Sequence, residues 1–211
     1  MKINLAQSRR DAEFLTGNHL FFSKKTSASL RLCASIFLLC ATVSGAEIKA
    51  TDVDGRERVL NEANTVHVVI YSNEEVQDRT RAVNLALDEF QGLPGFRPVV
   101  VVDLRGSLAQ LAKGYTRRRV ARALDAEALR VTPRYRQNGN AGDPRADLCA
   151  VADFTGELSV KLGWRKPAAT LRVIIFDRPG AELLRWEDLS EQEFPALRAV
   201  VKKLLSHAPQ D

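Results

Sequence analysis

Sulfur is scarce in this 211-residue chain, which has three cysteines and one methionine. Cys33 and Cys40 fall inside an apolar stretch near the N-terminus, and only Cys149 lies beyond it. Once that stretch is removed, no pair remains for a disulfide framework. Histidine is equally sparse. Beyond residue 46 there are only His67 and His207, neither at a ligand spacing from cysteine or a carboxylate. That excludes the Cys/His patterns of structural zinc. No GxSxG, GxxxxGK or GxGxxG occurs, which removes nucleophile-elbow and phosphate-loop enzymes. No metal or cofactor is expected. Long apolar runs are also missing: "LCASIFLLCATV" (32–43) has 12 residues, against about 20 for a membrane-spanning helix.

What surrounds that run has an order of its own. Lys24, Lys25 and Arg31 precede it, and Ser44, Gly45 and Ala46 follow it. Charge, apolar run and small residues in this order read as an export signal cleaved between Ala46 and Glu47, behind an overlong leader. Cys40 follows Leu39 rather than a small residue, which argues against lipidation. The expectation is a periplasmic or secreted protein with no integral membrane segment after cleavage. Residues 1–46 form the leader and 47–211 a single domain. Residues 1–46 carry six of the 31 Lys/Arg and two of the 26 Asp/Glu, leaving 25 against 24. The net +5 of the whole chain therefore falls to +1, and no nucleic-acid partner is implied.

Along residues 47–206 the period alternates between strand and helix. "EIKATDVDGRERVL" (47–60) alternates on both sides of Asp54-Gly55, a hairpin signal. "VHVVIYS" (66–72), "PVVVVDL" (98–104), "LCAVADF" (148–154) and "TLRVIIFD" (170–177) are β-branched or apolar runs suited to buried strands. Val76, Thr80, Val83, Leu87 and Phe90 make one face of a helix closed by "GLPG" (92–95). Residues 107–130 read as a second helix, and the polar stretch 132–147 as a mobile loop. Pro179-Gly180 joins the fourth strand to "AELLRWE" (181–187) as a hairpin. Ser190 and Glu193 form a capping box before a last helix with its stripe on Phe194, Leu197, Val201 and Leu204. This order predicts a mixed α/β sheet covered on both faces.

The arrangement of "DVDGRERVL", "VHVVIYS", "AVADFTGELSVKLGW" and "VIIFDRPGAELLRW" resembles the thioredoxin-like fold. Within it, the chain looks similar to the alkyl hydroperoxide reductase / thiol-specific antioxidant type, and most of all to the YtfJ-like exported group. The resemblance implies a three-layer α/β/α domain with a mixed central sheet and an N-terminal β-hairpin. It also implies a reactive cysteine at the helix start after the first core strand, where the helix dipole favours thiolate. Here Ser72, Asn73, Glu74, Glu75 and Val76 occupy that position, with no sulfur. The cis-proline of active relatives is likewise replaced by Ala168, Ala169 and Thr170, with Pro167 further upstream.

The remaining candidates are few. Cys149 sits mid-strand, where a cysteine behaves as a small hydrophobe. Arg117, Arg118, Arg119 and Arg122 make a basic run that offers a face to an anionic partner, or simply a solvated helix side. Trp164 and Trp186 suit packing positions. The expected function is a non-catalytic, exported thioredoxin-like module that binds a protein or a small ligand. The alternative is a thiol-dependent oxidoreductase or peroxidase acting through Cys149.

Overall fold

The computed structural model describes residues 46–105, 107–167 and 170–206. Five strands make the main sheet, in the order β5(Cys149–Asp153), β4(Phe96–Asp103), β3(Val66–Ser72), β6(Arg172–Phe176) and β7(Glu182–Trp186). β3, β4 and β5 run parallel, while β6 is antiparallel to both β3 and β7. A separate hairpin, β1(Lys49–Thr51) with β2(Glu57–Val59), precedes it. All seven residues of β3 are buried, as its central place between two partners requires.

Parallel neighbours need crossover connections, and both lead in the same direction across the sheet. α1(Gln77–Ala86) links β3 to β4, and α2(Lys113–Gln137) links β4 to β5. Right-handed crossovers then put both helices on one face. α5(Phe194–Ser206) joins them there, in a core that includes Val68, Ile70, Val83, Leu87, Leu197 and Val201. α2 covers β5 through Leu124, Ala128 and Val131 against Leu148 and Ala150. The opposite face carries α4(Glu157–Lys161) and the hairpin, packed on Val69, Tyr71, Val99, Val101 and Val151. The architecture is the expected three-layer α/β/α arrangement with a mixed sheet. The short α3(Pro144–Asp147) leads into β5.

Several sequence signals act as their chemistry dictates. Val76, Thr80, Val83, Leu87 and Phe90 are all buried. Ser190 and Glu193 make the reciprocal capping box, and α5 begins at Phe194 with Pro195 inside its first turn, where a missing N–H costs nothing. Gly55 takes a positive φ of 84°, but the turn is not a two-residue one. Its five residues, 52–56, are held by Asp52, whose Oδ1 accepts from the N–H groups of Asp54 and Arg56.

One expectation is corrected. The stretch 132–147 is not a single loop, because α2 continues through Pro133 to Gln137 and α3 follows at 144. Val131 and Tyr135 are buried, and Thr132 Oγ1 donates to the Ala128 carbonyl at 2.7 Å. Beyond the helix, Asn138 Nδ2 donates to the carbonyls of Glu89 and Gln91, and Asn140 Nδ2 to that of Gly92. These tertiary bonds hold a segment whose composition reads as loop. Only residues 138–143 connect the helices. Among the described residues no helix is long and apolar enough to cross a membrane.

Candidate functional site

The chain leaves β3 at Ser72 and enters a 3-10 turn, Glu74–Val76, that runs into α1. Ser72 is buried, Asn73 half-buried, Glu74 and Glu75 exposed, and Val76 packs in the core. The free N–H groups of a helix start are the ones that would stabilise a thiolate. Here Asn73 takes them: its Oδ1 accepts from Glu75 N–H at 3.0 Å and Val76 N–H at 3.2 Å. Glu74 and Glu75 add negative charge in the first turn. The junction carries no thiol, and the N–H groups of Glu75 and Val76 are already taken. Sequence reading located this junction but did not foresee the cap, although Asn in such a position is its usual signal.

A groove of about 680 Å³ opens beside this junction. α1 and α2 stand apart over β4, so Val100 and Val102 of that strand are only half-buried. They make the floor with Pro98 and Ala150, between Leu85 of α1 and Val120 of α2. Ser72, Asn73 and Glu74 line it, and Arg119 and Arg130 reach it from α2. Arg130 is not free, since it binds both Asp88 and Glu127. Size and apolar lining fit the usual range for a ligand cleft.

On the other face, at the carboxyl ends of β3, β4 and β5, lies a buried polar cluster that the sequence reading missed. Asp103 and Asp153 are register partners in β4 and β5, and both are buried. Arg105 bonds Asp103 through Nε at 3.0 Å and through NH2 at 2.8 Å. The same NH2 reaches Ser159 Oγ and the Lys166 carbonyl, both at 3.0 Å. Asp153 accepts from the N–H groups of Gly156 and Ser159, and from Tyr71 O–H at 3.3 Å. The Asp103 carboxylate raises the Arg105 guanidinium pKa, while burial pushes up the Tyr71 phenol. Gly156 is obligatory here: its φ is +79°, and a Cβ would lie 2.4 Å from Arg105 Cδ. The legible trace was an aspartate closing two successive apolar strands. With every partner engaged, this cluster fastens strand ends rather than transferring protons.

Trp164 and Trp186 both pack. Trp164 is buried beside Tyr71, with ring centroids 5.1 Å apart, under the guanidinium of Arg185 at 4.8 Å, and its Nε1 donates to Glu187. Trp186 lies against the α1/α5 core.

Cys149 is 6% exposed, and burial pushes its thiol up to about 12. It shares a cavity of about 250 Å³ with His67, Arg58, Arg97 and Asp147, at the opposite end of the sheet from Ser72. His67 is 2% exposed, and neither ring nitrogen has a hydrogen-bond partner among the described residues. Burial first, and Arg97 second, lower its pKa to about 4. Among the described residues no group of His, Cys, Asp and Glu could hold a metal ion.

The four arginines of the basic run do not act as one face. Arg117 turns with Lys113 over the Phe154 ring, at 5.8 and 5.5 Å from its centroid. All four are exposed, and Arg119 also lines the groove. Ala46 and Glu47 are exposed as well, and the Ala46 carbonyl accepts from Asn61 Nδ2 at 3.1 Å. Ala168 and Ala169, where a cis-proline was sought, lie outside the described residues, as do residues 1–45.

No protein-family model matches the chain, and no curated protein matches it in sequence. Solved structures do match. A proposed protein disulfide isomerase from Bacteroides thetaiotaomicron superposes with a TM-score of 0.50 at 12% identity, over 76% of this chain and 87% of that one. The fold is thioredoxin-like. A secreted thiol-disulfide isomerase from Corynebacterium glutamicum (TM-score 0.49, 13% identity, 76% and 84% covered) is also similar. So is an exposed lipoprotein thioredoxin of Streptococcus pneumoniae (TM-score 0.46, 17% identity, 75% and 100% covered). At such identities the likeness of this thioredoxin-like domain to each is one of fold.

Proposed function

We propose that this protein is an exported, non-catalytic thioredoxin-like domain that uses its groove to bind a ligand or a protein segment. The observation that carries this reading is the capped junction. Asn73 Oδ1 occupies the helix N–H groups that a thiolate would need, and no sulfur stands among Ser72–Val76. Disulfide exchange requires an accessible thiolate and a second thiol to resolve the mixed disulfide. The one cysteine of the described residues is buried and its thiol is held protonated. Ser72 has no histidine beside it, since His67 lies five residues back along β3, and a hydroxyl without an adjacent base is a weak nucleophile.

An apolar floor beside a satisfied helix start suits binding without chemistry. Export is supported by the charge–apolar–small order before Glu47. The test is insulin reduction and peroxide consumption by the purified protein and by Cys149→Ser. Neither protein should turn over. Turnover by the wild type that vanishes in Cys149→Ser would overturn the reading and make Cys149 the nucleophile.

A further inference from the structure

The solvent side of α2 and of the 3-10 turn before it, Leu108–Ala112, carries an apolar–cationic ridge. In a 3-10 turn residues three apart eclipse one another, and along an α-helix residues three and four apart share a side. Leu108, Leu111, Tyr115, Arg118 and Arg122 follow that spacing. Leu108 is 83% exposed, Leu111 87% and Tyr115 61%. Arg118, Arg119 and Arg122 are exposed beside them, and none forms an ion pair among the described residues. The only acids of α2, Asp125 and Glu127, are already engaged by Arg145 and Arg130.

Each half of this ridge alone would be unremarkable. Basic runs on helices are usually solvated, and single exposed leucines are normal. The combination decides. A soluble polyanion would neutralise the arginines and leave two leucine side chains in water. A neutral apolar partner would cover the leucines and desolvate three unpaired cations. An anionic bilayer surface satisfies both, because side chains a few ångströms long reach the acyl region while guanidiniums meet phosphates. A tyrosine between the two sets suits the interfacial zone.

We propose that the ridge from Leu108 to Arg122 docks this domain on an anionic phospholipid surface. Leu108 and Leu111 enter the interface, and Arg118, Arg119 and Arg122 pair with lipid phosphates. The ridge borders the groove, whose rim Tyr115 and Arg119 also line, while Leu108, Leu111, Arg118 and Arg122 lie outside that lining.

The test uses the full chain with vesicles of phosphatidylcholine alone, or of phosphatidylcholine and phosphatidylglycerol at about 7:3. The readouts are co-sedimentation and hydrogen exchange. Each basic residue near an anionic surface contributes about fivefold in affinity, so R118E/R119E/R122E should lose at least about 100-fold on the anionic vesicles. L108S/L111S should lose at least about tenfold. Wild-type binding should fall with added salt, and anionic vesicles should slow exchange within residues 107–122. That protection separates docking by the ridge from any attachment through residues 1–45. Equal binding by both variants, or no protection of 107–122, would overturn the proposal. Arginine-dependent retention on polyglutamate without vesicle binding would also overturn it, in favour of an acidic protein partner.

Discussion

Asp103 and Asp153 close two adjacent parallel strands as a register pair, and the guanidinium of Arg105 pairs with Asp103. Tyr71, from the third parallel strand, donates to Asp153 and accepts from Arg105. Three strand ends are thereby tied at the carboxyl edge of the sheet, where open α/β sheets place their ligands. In this protein the position is occupied by an internal clamp, and the groove lies across the sheet from it.

Removing the cation should be far worse than removing the phenol. Arg105→Met leaves the buried Asp103 carboxylate without its counter-ion, and breaking such a pair costs about 3–5 kcal/mol. Tyr71→Phe loses one neutral hydrogen-bonding group, worth about 1 kcal/mol. Urea unfolding of both variants checks the order, and equal losses would show that the clamp is not charge-driven.

Acid should destabilise the domain through His67. Its folded pKa of about 4 lies below the unfolded 6.5, so the unfolded state takes up the proton first. The stability is present in full above pH 6.5 and is lost as pH falls toward 4, by about 3 kcal/mol in total. His67→Leu should flatten the stability profile between pH 6.5 and 4. A profile unchanged by the substitution would mean the imidazole is solvated.

Cys149 should resist thiol reagents in the native state. A thiol held near 12 is almost wholly protonated at pH 8, and only thiolate reacts. Labelling should follow the unfolding curve in guanidinium. Rapid labelling of the folded protein would show the strand to be accessible.

Proteolysis should separate the two parts of the stretch 132–147. Exposed residues 139 and 141–143 are the expected cleavage sites for a broad-specificity protease. Trypsin should spare Arg134 and Arg136, which are exposed but held in α2. Early tryptic cuts at those arginines would show that the helix ends near Val131.

Protein recovered outside the cytoplasm should begin at Glu47 by N-terminal sequencing. A chain retaining Cys33 and Cys40 there would overturn the export signal and the charge balance built on it.

Much of the fold was legible because its signals are local. The stripe from Val76 to Phe90, the capping box of Ser190 and Glu193, and the β-branched run 66–72 are set by neighbours within four residues. The missing sulfur at Ser72–Val76 is a matter of composition and needed no structure to see. Tertiary structure decided the rest. α2 outlasts Pro133 because Tyr135 is buried and Asn138 and Asn140 bind carbonyls some 50 residues away. Arg105 finds Asp103 two residues back, but Ser159 only through the pairing of β4 with β5. The groove exists because two helices on one face stand too far apart to cover Val100 and Val102. Leu108 and Leu111 are apolar, and only the tertiary structure leaves them facing water. Periodicity reports which side chains share a face; what that face meets depends on contacts distant along the chain.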